Sequence, residues 1–209
     1  MKAVATDMWE PYLNSIKAHL PDAQAKIVFD RFHIMRHMVD AVDTVRKREH
    51  RALKADGLDI LTGSKYLWLY SAENLPARHR EHFQALRSLN LKTARAWAIK
   101  ESLRALWDYH RRGWARRCWK HWYFWATHSR LQPVIDVAKM LARHLDGVLN
   151  YFSAARITNA AAEGLNSKIQ TIKKMAYGYR NADHFKTAIL FHCGGLNLHP
   201  ASPTHANAG

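Results

Sequence analysis

The feature that most constrains this chain lies in its first thirty residues, where two short apolar runs each end on an aspartate. Lys2-Ala-Val-Ala-Thr6 stops at Asp7, and Ala25-Lys-Ile-Val-Phe29 stops at Asp30. Between them Pro11 suits a first helical turn, Tyr12, Ile16 and Leu20 recur at helical spacing, and Pro21-Asp22 ends the segment. Two strands joined through a helix run parallel, because the helix carries the chain back to the end where the first strand began. A parallel sheet needs both faces covered and usually has more than two members. Residues 1–35 therefore read as a strand–helix–strand unit of a sheet whose other strands are expected from sequence that is absent here.

The rest of the chain changes period. From Ile34 to about Asn150 the pattern is helical almost throughout, with breaks near Asp56–Gly63, Glu73–Pro76 and His128–Pro133. Val134, Val137, Leu141 and Leu145 mark one amphipathic helix near its end, and another helix starts near Asn159. The expected organisation is a strand unit over 1–35, a helical region over 36–150, further helices over 151–199 and a disordered tail over 200–209. The fold class is α/β and mostly α. A length of 209 residues suits one domain, or one domain with a large insertion.

Charge narrows the class of partner. Lys and Arg number 32 against 17 acids, a formal +15, where about 2–8 is usual for a small domain. Such an excess suits a polyanion, because each neutralised phosphate releases condensed counterions. No apolar run approaches the roughly 20 residues that span a bilayer. The first residues reach Asp7 before a signal-peptide core can form. Two cysteines, Cys118 and Cys193, give neither a disulfide framework nor zinc spacing, so the expected location is cytosolic. The segment from Trp97 to Trp125 mixes Trp97, Trp107, Trp114, Trp119, Trp122 and Trp125 with Lys100, Arg104, Arg111, Arg112, Arg116, Arg117 and Lys120. Rings and cations mixed this way serve either as a phosphate- and base-gripping surface or as a helical core with a solvated basic exterior. The second reading is favoured for most of the tryptophans.

Three acids stand out. Asp7 and Asp30 sit at the carboxyl ends of adjacent strands, where open α/β sheets place their sites. Glu163 falls on the predicted helix Asn159–Met175, with Asn166, Ser167, Gln170 and Lys174 on its face and Leu165, Ile169, Ile172 and Ala176 opposite. That arrangement predicts a helix buried on one side that offers Glu163 towards the Asp7 end of the sheet. Hard divalent ions take oxygen ligands, so clustered carboxylates in so basic a chain suggest Mg²⁺- or Mn²⁺-assisted chemistry on phosphodiesters. The competing reading makes Asp7 and Asp30 strand-end caps and leaves Glu163 on a solvated face. His33, three residues after Asp30, is either an accessory group at such a site or a residue of the strand-to-helix junction. There is no nucleophilic triad, phosphate-binding glycine loop or zinc cluster.

Asp30-Arg-Phe-His33, Asn159-Ala-Ala-Ala-Glu-Gly-Leu-Asn166, Ala176-Tyr-Gly-Tyr-Arg-Asn181 and His192-Cys-Gly-Gly-Leu-Asn197 occur in this order along nearly the whole chain. Together they resemble the bacterial insertion-sequence transposases of the ISL-three family. The resemblance implies a DDE transposase with a ribonuclease-H-like core that uses Mg²⁺ or Mn²⁺. Asp7 would be the middle carboxylate and Glu163 the last, both metal ligands, with Asp30 and His33 as accessory groups. The Trp- and Arg-rich region would be the insertion preceding the Glu-bearing helix. Partners would be element-end and target DNA, with homo-oligomerisation on DNA, in the bacterial cytoplasm at the nucleoid. Lys168, Lys173, Lys174 and Arg180, which flank Glu163, and Arg112, Arg116 and Arg117 are the candidate DNA contacts. The first catalytic aspartate and an upstream DNA-binding region of such a transposase have no counterpart here. The reading is thus a truncated enzyme inactive alone, set against a non-catalytic basic DNA-binding module and an inactive remnant.

Overall fold

The computed structural model describes residues 3–153 and 160–195, apart from the side chains of 160–163. The disordered tail expected over 200–209 and most of the expected Ser153–Asn159 loop lie outside the described residues. Two compact units divide the chain, Met1–Thr158 and Asn159–Gly209.

The first unit opens with β1 (Val4–Thr6), α1 (Glu10–His19), α2 (Ala23–Lys26) and β2 (Ile27–Phe29). The strands pair in parallel with Val4 opposite Ile27, Ala5 opposite Val28 and Thr6 opposite Phe29. The second strand is shorter than the sequence implies. Ala25 and Lys26 are helical, because the N–H of Ile27 closes a turn on the carbonyl of Ala23. β2 is buried throughout, whereas β1 is only half-buried. Among the described residues the sheet has these two strands and no others.

Helices make up the remainder of this unit: α3 (Arg31–Ala55), α4 (Lys65–Leu69), α5 (Arg80–Ser88), α6 (Lys92–Arg104), α7 (Arg112–Thr127), α8 (Gln132–Arg143) and α9 (Leu145–Asn150). The breaks expected near Asp56–Gly63, Glu73–Pro76 and His128–Pro133 are present, and three more fall at Leu89–Leu91, Tyr109–Arg111 and His144, the last dividing the helix expected from Val134 to Leu145. One hydrophobic core runs from Leu13 through Ile27, Val28 and Phe29 to Tyr151, so strands and helices bury their apolar faces in common. Trp97, Trp107, Trp119 and Trp122 belong to this core, as does Trp68. Trp114 and Trp125 do not; they are exposed.

Long-range polar contacts lock the helices to one another. Glu49 of α3 accepts the N–H groups of Lys92 and Thr93 at 2.7 Å and the Thr93 hydroxyl at 2.6 Å. It thereby caps α6, whose own N-cap residue, Leu91, has no side-chain acceptor. Lys100 of α6 is buried and donates Nζ to the carbonyl of Tyr70 at 2.6 Å, at the carboxyl end of α4. Its burial pulls the ammonium pKa below the ordinary lysine value, against the opposing pull of Glu101 at 3.1 Å. Asn150, at the end of α9, is buried and donates Nδ2 to the carbonyls of Gln24 and Ile27, both at 2.9 Å. Gly147 lets α9 lie against the ring of Phe29, which a methyl at that position would overlap.

The second unit pairs α10 (Ala160–Met175) with α11 (Ala182–Cys193). The turn between them holds Tyr177 at φ +50° and Gly178 at φ +102°. Gly178 donates its N–H to the carbonyl of Lys173 at 2.9 Å, closing the helix end, and glycine accepts that left-handed backbone without strain. Burial along the expected apolar face of α10 is uneven: Ile172 is buried, Ile169 half-buried and Leu165 exposed. Ala176 lies past the helix end and is exposed. The sequence expectation of a fully buried side is therefore too strong.

Candidate functional site

Strand register places the first two acids. Because Thr6 stands opposite Phe29, Asp7 and Asp30 leave the sheet side by side, and the N–H of Asp30 donates to the carbonyl of Thr6 at 3.3 Å. Their side chains then do different things. Asp30 is buried and accepts the N–H of Phe32 at 2.6 Å, which makes it the N-cap of α3. That is the capping arrangement, with an acid favoured where helix N–H groups converge. Asp7 is half-buried and accepts the N–H of Trp9 at 3.2 Å through Oδ1.

Asp7 also borders a cleft. Together with Met8 and Trp9 it faces His33, Arg36, His37 and Asp40 of α3 across a cavity of about 350 Å³. On α3 these four recur at three- and four-residue steps, one helical face laid along the cleft. The structure places Asp7 and His33 on the same cleft. It leaves Asp30 out of the cleft lining and adds Arg36, His37 and Asp40. Their signal was available in the sequence as helical spacing from His33, although nothing in the first strand marks them. Exposed rings stand nearby: Trp9 packs edge-on to Tyr12 at 4.6 Å, and Phe32 edge-on to His33 at 5.7 Å.

The third acid belongs to the other unit. Glu163 lies within α10, but its side chain is outside the described residues. Among the described residues no group of three or more His, Cys, Asp and Glu is arranged to hold a metal ion. The donors assigned here, carboxylate oxygens, are of the hard type that Mg²⁺ or Mn²⁺ prefers. Asp7 alone does not complete such a site.

The candidate DNA contacts separate into groups. Lys168, Lys173, Lys174 and Arg180 are exposed on the second unit, beside the fully exposed Tyr177. Arg112 donates to the Asn150 side chain at 3.1 Å and lies 3.6 Å from Asp146, and Arg116 lies 3.9 Å from the same carboxylate. Those two arginines tie α7 to α9. Arg117 instead stacks over the exposed Trp114 at 5.1 Å.

A parallel strand pair crossed by helices, an acid at a strand's carboxyl end above a cleft, and a strongly basic, mostly helical body make this an α/β protein. Comparison with known proteins gives the family. A transposase family model, that of the ISL3 transposases, matches residues 1–189. The chain belongs to the ISL3 family of transposases. It is 33% identical over 188 residues to the transposase for insertion sequence element IS1001 of Bordetella parapertussis, covering 88% of this chain and 46% of that protein. The transposase for insertion sequence element IS1557 of Mycobacterium tuberculosis is 21% identical over 178 residues, covering 73% of this chain and 39% of its own length. The chain thus spans less than half the length of these relatives. No solved structure matches it. Among the described residues no helix is long and apolar enough to cross a membrane.

Proposed function

We propose that the chain supplies part of the catalytic core of a DDE-type transposase, a ribonuclease-H-like enzyme that cuts and joins DNA strands at the ends of an insertion sequence with Mg²⁺ or Mn²⁺. The observation that carries this reading is Asp7 at the carboxyl end of β1, on a cleft lined by His33 and Arg36, in a chain of this family. Asp7 and Glu163 are the assigned metal ligands and catalytic carboxylates. The third carboxylate of such a site is assigned to no residue of these 209. His33 is retained as an accessory residue at the cleft, and Asp30 serves α3 as its cap. When bound, the metal would supply Lewis-acid help at the scissile phosphodiester. The chain's own contribution is to hold carboxylate oxygens at a strand end and to present cations to the DNA backbone. Arg36 in the cleft, and Lys168, Lys173, Lys174, Arg180 and Arg117 outside it, are the cations assigned to phosphate. The enzyme would act in the bacterial cytoplasm, on nucleoid DNA, and assemble with further copies on the element ends.

The test is Mg²⁺-dependent cleavage of element-end DNA by the 209-residue chain and by a version extended upstream. The extended protein is expected to cut and the short one is not. Asp7→Asn and Glu163→Gln should each abolish cutting while leaving DNA binding intact. Unimpaired cutting by either variant would remove that residue from the site. A second reading, a non-catalytic DNA-binding module, is favoured by the acid-free, basic helix α7. It predicts DNA binding indifferent to Mg²⁺ and to Glu163, and no cutting by either protein.

A further inference from the structure

Helix α7 carries a surface of which the proposed function uses only Arg117. Trp114, Arg117, His121, Phe124, Trp125 and His128 recur at steps of three and four residues and fall within about 100° of one another around the helix axis. All six are exposed, with Trp114 at 53%, Phe124 at 64% and Trp125 at 40%. The opposite side of the same helix, Ala115, Trp119, Trp122 and Ala126, is buried in the core. Single exposed rings are ordinary on protein surfaces, whereas a contiguous row of them is not. This row extends for on the order of 20 Å at the rise of an α-helix.

Two features say what would cover it. From Arg111 to Arg130 the sequence contains no acid, while Arg116 and Lys120 run along one flank of the row. Two of the rings already rest on neighbours. Arg117 lies over Trp114 at 5.1 Å, and Phe124 stacks on His128 at 4.0 Å between centroids. His121 and His128 are each held by the carbonyl four residues back, at 3.0 and 2.7 Å. Ring faces presented beside cations, on a helix that carries no acid and with Asp146 of α9 reaching only the Arg112 and Arg116 flank, suit a ligand with flat apolar rings joined by negative charge. Duplex DNA hides its base faces; a single strand offers them. We infer that this row binds unpaired DNA, with bases stacking on Trp114, Phe124 and Trp125 and backbone phosphates drawn by Arg117 and Lys120. The inference rests on the proposed DNA-acting role and names which form of DNA this surface takes.

The experiment is fluorescence anisotropy with labelled (dT)20 and a labelled 20-base-pair duplex, over a series of salt concentrations. Proteins compared are the unaltered chain, Trp114→Ala, Phe124→Ala, Trp125→Ala, Arg117→Ala and Tyr66→Ala, the last an exposed ring on α4. All positions are on the surface, and circular dichroism verifies that each variant folds. Each ring variant on α7 is expected to weaken (dT)20 binding about 5- to 150-fold, with duplex binding and Tyr66→Ala unchanged. Arg117→Ala should weaken both ligands and lower the salt slope by about one. Equal binding of (dT)20 by the ring variants and the unaltered chain overturns the inference. So does an equal loss on both ligands, or a ring variant that turns a dimer into a monomer, which would make the row a contact between copies. If the duplex binds with steep salt dependence while the ring variants change nothing, only this inference fails. Failure to bind either DNA sinks the DNA-acting role as well.

Discussion

Gly147→Ala tests whether α9 presses on the strand pair as closely as the structure has it. A Cβ built at Gly147 overlaps the ring of Phe29, a side chain only 3% exposed and enclosed by the core. Neither partner can yield easily, because Phe29 is paired through β2 with the strand that ends at Asp7 and α9 is tied down at Asn150. Overpacking of a filled core costs about 1–3 kcal/mol. Replacing glycine by alanine within a helix returns up to about 1 kcal/mol. The net expectation with the full return is a loss of up to about 2 kcal/mol, or a fall in Tm of up to roughly 8 °C for a chain of this size. Thermal and urea unfolding followed by circular dichroism would measure it, with Phe29→Leu as the second arm of a double-mutant cycle. Leucine removes the ring edge, so Gly147→Ala should be milder in that background, with a coupling of about 0.5–3 kcal/mol. A stabilised Gly147→Ala, or strictly additive effects, would refute the close approach of α9 to β2.

Asn150→Ala should cost about 1–3 kcal/mol in urea unfolding, since it strands the buried carbonyl of Ile27, removes the donor to the half-buried bond at Gln24 and frees Arg112. Asp30→Ala should lower the melting temperature by the equivalent of about 0.5–2 kcal/mol as a lost cap. For His144, burial holds the imidazole below its ordinary value of 6.5; Glu10 at 3.5 Å opposes this, and Arg143 and Lys17 reinforce it. As pH falls below 6.5 the unfolded chain takes up that proton first, so stability drops in this window and is unaffected above it. The urea midpoint should therefore fall less between pH 7.5 and 5.5 in His144→Asn than in the unaltered protein. Asp43 sits lower than the ordinary carboxylate value, burial being outweighed by Lys47 and by Arg46 at 2.7 Å. Its contribution is complete above pH 3.8 and disappears as pH falls through the lowered value. Asp43→Asn should thus cost about 1–3 kcal/mol at pH 7 and progressively less in acid.

How legible the fold was depended on the range of the forces that set it. Strand ends, the Pro-marked start of α1 and the breaks around Gly63, Pro76 and Pro133 are local effects of backbone geometry, and the sequence carries them. The cap of α6 is not local: its acceptor is Glu49, more than forty residues away, so no inspection of Leu91-Lys92-Thr93 reveals it. Lys100 reads as one more surface cation in a basic segment, yet it is buried against the carboxyl end of α4. At the site, position along the strands identified Asp7 and Asp30 equally, and only side-chain direction distinguished the cleft residue from the cap. His33 was visible beside Asp30, whereas Arg36, His37 and Asp40 enter only when α3 is laid along the cleft. Helical spacing on α10 overstated how much of its apolar side is covered.

The arginines show why charge alone could not choose a DNA surface. Composition treats Arg112, Arg116 and Arg117 as equivalent members of one basic stretch. Folding separates them by angle around α7, because the core claims Trp119 and Trp122 and thereby fixes what every other position faces. Arg112 and Arg116 turn towards Asp146, and an arginine already sharing a carboxylate gives up part of that attraction to take a phosphate. Arg117 turns away from that carboxylate and lies on Trp114 instead. Its charge is not spent on an acid, and its planar guanidinium rests on the ring, so a phosphate would meet a positioned cation. The same burial that makes most of the tryptophans structural is therefore what leaves Trp114, Trp125 and Arg117 in a row on the surface. On this argument Arg117→Ala should weaken duplex binding more than Arg112→Ala does, and the reverse order in an anisotropy titration at one salt concentration would mean that the Asp146 pairs are too weak to matter.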